Sequence, residues 1–545
     1  MFEIAFLIGI YGYVILSLGL TGLLYKNILL IITVLYVFIS FTLYRKLLLF
    51  EFKNFKKKVL AKNILKKRFE FLLLFLLIVQ ILVNFMGALS PEFAFDALWY
   101  HLTIPKLYLE NHSIFYIPGG LLYYSAMPKL IELLYIPVLA FSSEIFAKIM
   151  HFSFGILSLL ALYKLSRKFL PVSFSILAVV IFYSNIAVAW QSTTAYVDLA
   201  RTFFEIMALW GFIEWIKSNE RKWLIESSVL LGLAASVKII SLMSFIIFLL
   251  LILFQKKDTK LKIKNMLIYS IPLFLVLFPW LIFSFINTQN PIYPFLSESV
   301  SINKFSIGFL NPINFISEIL NVFIKAADPI SPIYLIFIPL ILVKYKRFRK
   351  SLKIVTLYGL FALAGWYFFE FSGKNIPEIK GGSRYLIPYL PAFSIVISYL
   401  IFQFKRKSIL SMLSIILVIF ISLTTIGYRF VATSRYIPYL TGKQSKEAFL
   451  INNLNYSYGD FYDTDNYFKN NIKETNRVLL YGFHNLYYID FPYIDSSWVI
   501  KGDRFDYIAT QNTVLPERFK AWELIYINPK TNVKLYSNGG LKWQF

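Results

Sequence analysis

Apolar runs of membrane-crossing length, separated by short basic or polar stretches, fill the chain from its start to Tyr428. About 20 residues of helix cross the hydrocarbon of a bilayer. On that measure the runs predict spans at Ile4–Tyr25, Ile28–Tyr44, Phe71–Leu89, Ile145–Tyr163, Phe174–Trp190, Leu199–Ile216, Trp223–Ser236, Ile239–Phe254 and Met266–Phe285. A short one ends at Val343, and three more cover Val355–Phe369, Tyr385–Phe402 and Ile409–Tyr428, about thirteen crossings in all. Leu121–Phe141, with Lys129 and Glu132 among apolar residues and interruptions at Pro128 and Pro137, reads instead as an interfacial helix, one wall of a groove open to a lipid tail. Beyond Tyr428 the pattern changes. Short β-type runs (Arg477–Tyr481, Tyr507–Thr510, Glu523–Tyr526, Val533–Tyr536) alternate with polar turns, and Lys446–Asn453 reads as a helix, which predicts a small α/β module.

The distribution of charge orients these spans. Lys and Arg number 55 against 30 Asp and Glu, a formal net charge of +25, but they lie mostly in clusters between apolar runs, where they set membrane topology and not nucleic-acid binding. Arg45–Arg68 is the most basic stretch and marks the cytoplasmic side, which also puts the N-terminus inside. Every second connection repeats the signal, including Lys164, Arg167 and Lys168, then Lys344, Lys346, Arg347, Arg349 and Lys350, then Lys405, Arg406 and Lys407. The runs flanking Lys238 are read as two spans because Lys217, Arg221 and Lys222 before them, and Lys256 to Lys264 after them, belong on one side.

The expected divisions are an N-terminal hairpin (1–44), a basic cytoplasmic loop (45–69), a main membrane domain (70–428) whose first outer loop is 90–143, and an extracytoplasmic domain (429–545). The composition, 58% hydrophobic and 16% charged, excludes an ordinary soluble protein, and the absence of Cys excludes disulfides and Cys-ligated metal. Met1–Tyr25 has no basic n-region and reads as an uncleaved first span. The setting is a plasma (inner) membrane, with membrane lipids as surroundings and no nucleic acid as partner.

Candidate chemistry lies in the outer connections. In SPEFAFDALWYHLTIPKLY, Asp96 follows the third span closely, and a carboxylate there can take a proton from a hydroxyl attacking an anomeric carbon. Trp99, Tyr100 and His101 beside it suit contact with acceptor or sugar, though aromatic residues also populate membrane interfaces. In QSTTAYVDLA, Asp198 precedes Arg201 and Glu205 at successive helical turns; either Asp198 pairs with Arg201, or Arg201 meets a phosphate. Lys238 in GLAASVKII either neutralises a phosphate or snorkels, and the same alternatives hold for Arg384, with Tyr385, in GGSRYLIPYLP. His101, His112, His151 and His484 are dispersed, with no metalloprotease-like pair, Walker loop or dinucleotide fingerprint. No cofactor is predicted; a divalent metal on Asp96 with His101 or a distant carboxylate stays open.

The order FDALWYHLTIPKLY, AYVDLARTFFE, GLAASVKII, NPIYPF, GGSRYLIPYLP resembles the GT-C class of polytopic glycosyltransferases. The nearest group is the relatives of protein mannosyltransferases and lipid A aminoarabinose transferases with the RgtA/B/C/D-like domain. The resemblance covers most of Phe71–Phe402. It implies a GT-C catalytic membrane domain, a polyprenyl-phosphate sugar donor, a glycan, lipid or protein acceptor, transfer on the outer face and inversion at the anomeric centre. It further implies Asp96 as catalytic base, Asp198 at the acceptor or sugar, and Lys238 and Arg384 at the donor phosphate. The chain departs from the class at Ala97, where many relatives carry a second acid, and in its extra leading hairpin. A transporter or lipid-linked glycan flippase, or an O-antigen-type polymerase or ligase, are the alternative readings.

Overall fold

The computed structural model describes residues 1–59, 68–295, 297, 311–326, 329–372, 382–404, 408–539 and 543–544. Part of the basic stretch (60–67), much of the connection 371–384 and the cluster Lys405, Arg406 and Lys407 lie outside them.

The chain begins with a helical hairpin, α1 (Phe2–Leu20) and α2 (Lys26–Val59). α2 continues as helix through the first part of the basic stretch expected as a loop, where Leu, Lys, Glu and Phe are compatible with helix. α3 (Arg68–Ala88) leads into a π-helical turn, Ala97–His101, then α4 (Thr103–Glu110) and α5 (Leu130–Phe141). Next come α6 (Glu144–Ser166), α7 (Val172–Tyr183), α8 (Ile186–Gln191), α9 (Asp198–Ser218) and α10 (Arg221–Val237). α11 (Leu242–Leu253), α12 (Thr259–Thr288), α13 (Pro312–Leu320), α14 (Pro332–Lys344), α15 (Lys350–Ser372), α16 (Leu390–Gln403) and α17 (Ile409–Ser434) complete the helical body. Among the described residues, eight helices are long and apolar enough to cross a membrane, and three shorter apolar ones join them.

One difference from the expected spans has a local cause. The run Phe174–Trp190 is broken between α7 and α8 at Asn185, whose Nδ2 donates to the carbonyls of Ile181 (3.0 Å) and Phe182 (2.7 Å). These bonds satisfy carbonyls that a helix end leaves open, and away from water that compensation is required. In the segment Leu121–Phe141, α5 packs against its neighbours, with Leu130, Ile131, Leu133, Tyr135 and Ile136 fully buried, while Lys129 and Glu132 line a cleft. The hairpin supplies part of the cover. Gly12 of α1 sits against Leu130, and Tyr13 hydrogen-bonds Ser236 of α10 (2.8 Å). The split at Lys238 is as expected: α10 ends at Val237 and a 3-10 turn, Ile239–Ser241, opens α11.

After α17 come α18 (Ile437–Leu440), α19 (Lys446–Asn453), with the bounds expected, and α20 (Tyr467–Asn471). The strands are β1 (Val478–Tyr481), β2 (Tyr493–Asp495), β3 (Arg504–Phe505), β4 (Tyr507–Gln511), β5 (Glu523–Asn528), β6 (Val533–Ser537) and β7 (Trp543–Gln544). Five form a mixed sheet in the order β2-β1-β4-β6-β5, with β1 parallel to β2 and β4 and the remaining pairs antiparallel. Val478, Leu480, Ala509 and Leu535 from one face pack with Phe461, Phe468, Phe483 and Leu486.

Candidate active site

The connection after α3 turns sharply because its own side chains bind its backbone. Glu92 accepts from the amides of Phe93 and Ala94 (both 2.9 Å) with one oxygen and from Ala195 (2.6 Å) with the other. That clamp ties the loop carrying Asp96 to the loop carrying Tyr196 and Asp198. Burial raises the Glu92 pKa, against the pull of Lys148 and these amides.

Asp96 Oδ2 lies 2.6 Å from Arg384 Nη1 and accepts a hydrogen bond from Tyr100 (3.2 Å). Burial alone would raise its pKa, but the Arg384 guanidinium overrides burial and holds the carboxyl below the usual carboxylate range. The guanidinium also lies over the Tyr196 ring, 5.4 Å from its centre. A second ion pair stands beside the first: Lys238 Nζ is 3.1 Å from Asp198 Oδ1 and 4.8 Å from the centre of the Tyr385 ring. The helix break explains the lysine's position, since a Lys in an uninterrupted helix would point along one face, whereas here it hinges α10 to α11.

Lys238 and Tyr100, the hydrogen-bond partner of Asp96, line a cleft of about 660 Å³ together with His101, Lys129, Glu132 and Tyr385 among mostly apolar neighbours. His101 Nδ1 is 2.8 Å from Glu132 Oε1, so His101 faces α5 and not Asp96. Its Nε2 and Glu132 Oε2 are buried without a hydrogen-bond partner among the described residues. Lys129 is buried, with Nζ donating to the carbonyls of Ser125 (2.6 Å) and Met127 (2.5 Å) and 5.2 Å from the centre of the Trp280 ring. Burial pulls its pKa down to about 7, against Glu132. Beside Tyr385, a narrower, mostly apolar slot is lined by Ile240, Met243, Trp366 and Phe369, with Glu370 also at its wall.

The structure thus brings together Asp96, Tyr100, Arg384, Asp198, Lys238 and Tyr385, with His101 one step deeper and Trp99 packed edge-on to Tyr100 and Tyr124. Arg201, expected at a phosphate or on Asp198, is elsewhere. It is fully buried, with Nε 3.2 Å from Glu205 and 2.8 Å from Ser241 and Nη2 2.8 Å from Tyr389. A charge so enclosed is neutralised inside the bundle, where it ties α9 to α16's leading turn. Lys129 and Glu132 were read from the sequence as part of a groove wall but not as site residues; their signal was charge inside an otherwise apolar run. Among the described residues, no three His, Asp or Glu side chains gather as a metal site.

Comparison with known proteins agrees with this architecture. The family described as dolichyl-phosphate-mannose-protein mannosyltransferase matches residues 134–283, from α5 into α12. No curated protein matches the chain in sequence. The crystal structure of ArnT from Cupriavidus metallidurans bound to undecaprenyl phosphate superposes with a TM-score of 0.57 at 9% identity, covering 85% of this chain and 97% of that one. The apo structure of the same ArnT gives 0.55 at 10%, with 86% and 98% covered. The chain therefore has the fold of a GT-C polytopic membrane protein, a helical body with a small C-terminal sheet domain.

Proposed function

We propose that this protein is an integral-membrane glycosyltransferase that moves a sugar from a polyprenyl-phosphate donor to a hydroxyl of an acceptor on the outer face of the membrane. The observation that carries the reading is an ionised Asp96 whose hydrogen-bond partner Tyr100 lines a cleft holding two lysines, Lys129 and Lys238, among mostly apolar residues. The likeness to an ArnT bound to undecaprenyl phosphate supports the donor class.

In this reading the isoprenoid tail lies along apolar surface such as the slot beside Tyr385, and the phosphate enters the cleft between Lys129 and Lys238. Asp96 takes the acceptor proton as that oxygen attacks the anomeric carbon. The bond from that carbon to the phosphate oxygen breaks, its electron pair stays on the phosphate, and the lysines stabilise the charge that develops. A single displacement inverts the anomeric centre. Arg384 keeps Asp96 ionised, and Asp198 holds Lys238 in place. Arg201 has no part in the phosphate site.

The test is to incubate the purified protein in lipid nanodiscs with radiolabelled polyprenyl-phosphate sugars and membrane extract. Release of polyprenyl phosphate together with label in a new glycoside is expected. Movement of intact labelled lipid across a bilayer, with no new product from any donor, would overturn the reading in favour of a lipid transporter.

A further inference from the structure

The C-terminal domain contacts the Asp96 loop directly. Lys106 of α4 donates to the carbonyls of Tyr487 (2.9 Å) and Ile489 (2.5 Å), and the Tyr488 hydroxyl donates to the carbonyl of Glu92 (2.7 Å). Lys446 pairs with Glu144 at 2.7 Å. Gly119, at φ +82°, lies so near the Ser497 carbonyl that an added Cβ would stand 1.8 Å from its oxygen. Three of these contacts, two from Lys106 and one to the Glu92 carbonyl, hold the connection that follows β1, residues 482–490, over the candidate site.

His484 is the residue this connection delivers. Its ring stacks on Phe95 with centres 4.7 Å apart and lies 4.5 Å from the Trp99 ring. Phe95 directly precedes Asp96, Trp99 lies less than a turn beyond it, and Phe95 remains 37% exposed. The tautomer of His484 follows from its neighbours. Asn485 Nδ2 donates to Asp460 Oδ1 (2.5 Å), so its Oδ1 is the atom turned to His484 Nδ1, 3.0 Å away. Asp460 is itself held by the Asn455 amide (2.6 Å). An amide oxygen can only accept; Nδ1 therefore carries a proton, and of the two neutral tautomers this bond selects the one whose Nε2 keeps a lone pair. No partner for Nε2 is found among the described residues.

We propose that His484 is a positioning residue of the acceptor subsite, its Nε2 accepting a hydrogen bond from one hydroxyl of a pyranoside that lies against Phe95 and Trp99 and turns a neighbouring hydroxyl to Asp96. A sugar suits this surface because its C–H face packs on aromatic rings while adjacent hydroxyls need an acceptor and a base. The C-terminal domain thereby takes part in choosing the acceptor. The proposal rests on the glycosyltransferase reading.

The test uses the full-length protein in nanodiscs with methyl α- and β-glucopyranoside, mannopyranoside and galactopyranoside, following saturation-transfer NMR and transfer kinetics. Saturation transfer to at least one glycoside is expected. His484→Ala raises the KM of that glycoside about tenfold, the loss of one hydrogen bond, while the donor KM keeps its native value, and His484→Gln, which retains an acceptor oxygen, recovers part of the loss. A merely structural role would move donor and acceptor KM together and show no rescue by Gln. No saturation transfer from any glycoside, or an acceptor KM unmoved in His484→Ala, overturns the proposal. Failure of the glycosyltransferase reading shows differently, as absence of polyprenyl phosphate release from the native protein with every donor.

Discussion

Replacing Arg384 by Gln separates two roles for this residue, phosphate ligand and partner of the base. The substitution removes the cation 2.6 Å from Asp96 and leaves a hydrogen-bonding group on a shorter stem. Removing one partner of a fully buried pair costs about 3–5 kcal/mol. Here the side chains of Arg384 and Asp96 keep 25% and 15% of their surface exposed, and water screens part of the attraction, so about 2 kcal/mol is expected. The Asp96 carboxyl, left with its burial and without the cation, therefore titrates higher than in the native protein. The native pKa is depressed, so the pair's contribution is present above the ordinary carboxylate value and is lost as pH falls through the lower, folded-state value. A base must be ionised to act, so the acid limb of kcat/KM, measured as polyprenyl phosphate release over a pH range that extends below the ordinary carboxylate value, moves upward in Arg384→Gln. Near neutral pH the carboxyl stays ionised and the loss is small. An acid limb that stays in place while the donor KM rises at every pH would refute the assignment and make Arg384 a phosphate ligand.

Lys238→Met strands the fully buried Asp198 and lowers stability by about 3–5 kcal/mol; the double variant with Asp198→Asn regains part of the melting temperature, and a double variant no more stable than Lys238→Met would refute the pairing. Lys129, held near pKa 7, gains charge as pH falls, so polyprenyl phosphate binds more tightly below about pH 7 in the native protein and without that dependence in Lys129→Met, which equilibrium binding with labelled lipid measures. Burial raises the Asp495 pKa to about 6 against the Ser497 bonds. The folded domain thus prefers the protonated acid, and the stability this contributes is complete below the ordinary value and lost as pH rises through about 6, a change of about 3 kcal/mol. Asp495→Asn should flatten that dependence in the hydrogen exchange of β1 and β4, and an unchanged slope would count against it.

Hydrophobic length made most of the helical body legible, because a helix in lipid must satisfy its own backbone and cover itself with apolar side chains. The break at Lys238 was legible too, since the basic clusters before and after it belong on one side and a single crossing between them would break the alternation. Asn185 gave no comparable signal: a few uncharged polar residues such as Ser175, Ser184 and Asn185 are common within spans, and only its bonds to Ile181 and Phe182 reveal the break. That α1 covers part of α5 was not legible, because the two lie far apart in sequence. In the C-terminal domain the alternation of Arg477–Tyr481, Tyr507–Thr510, Glu523–Tyr526 and Val533–Tyr536 marked β1, β4, β5 and β6, whereas β2, three residues after Pro492, is too short to show a period. Asp96 and Asp198 were legible as acids in outer connections. Their partners were not, because Asp96–Arg384 and Asp198–Lys238 join different elements and exist only through tertiary packing.

The central claim, that Asp96 is the base of an inverting sugar transfer, is tested most directly by comparing native protein and Asp96→Asn in nanodiscs. Both are supplied with the polyprenyl-phosphate sugar that supports turnover, and the anomeric configuration of the product is read by NMR. The account predicts a product inverted relative to the donor and a rate reduced by about 10²–10⁴-fold in the folded variant. A product of retained configuration, or transfer by Asp96→Asn at the native rate, would contradict it.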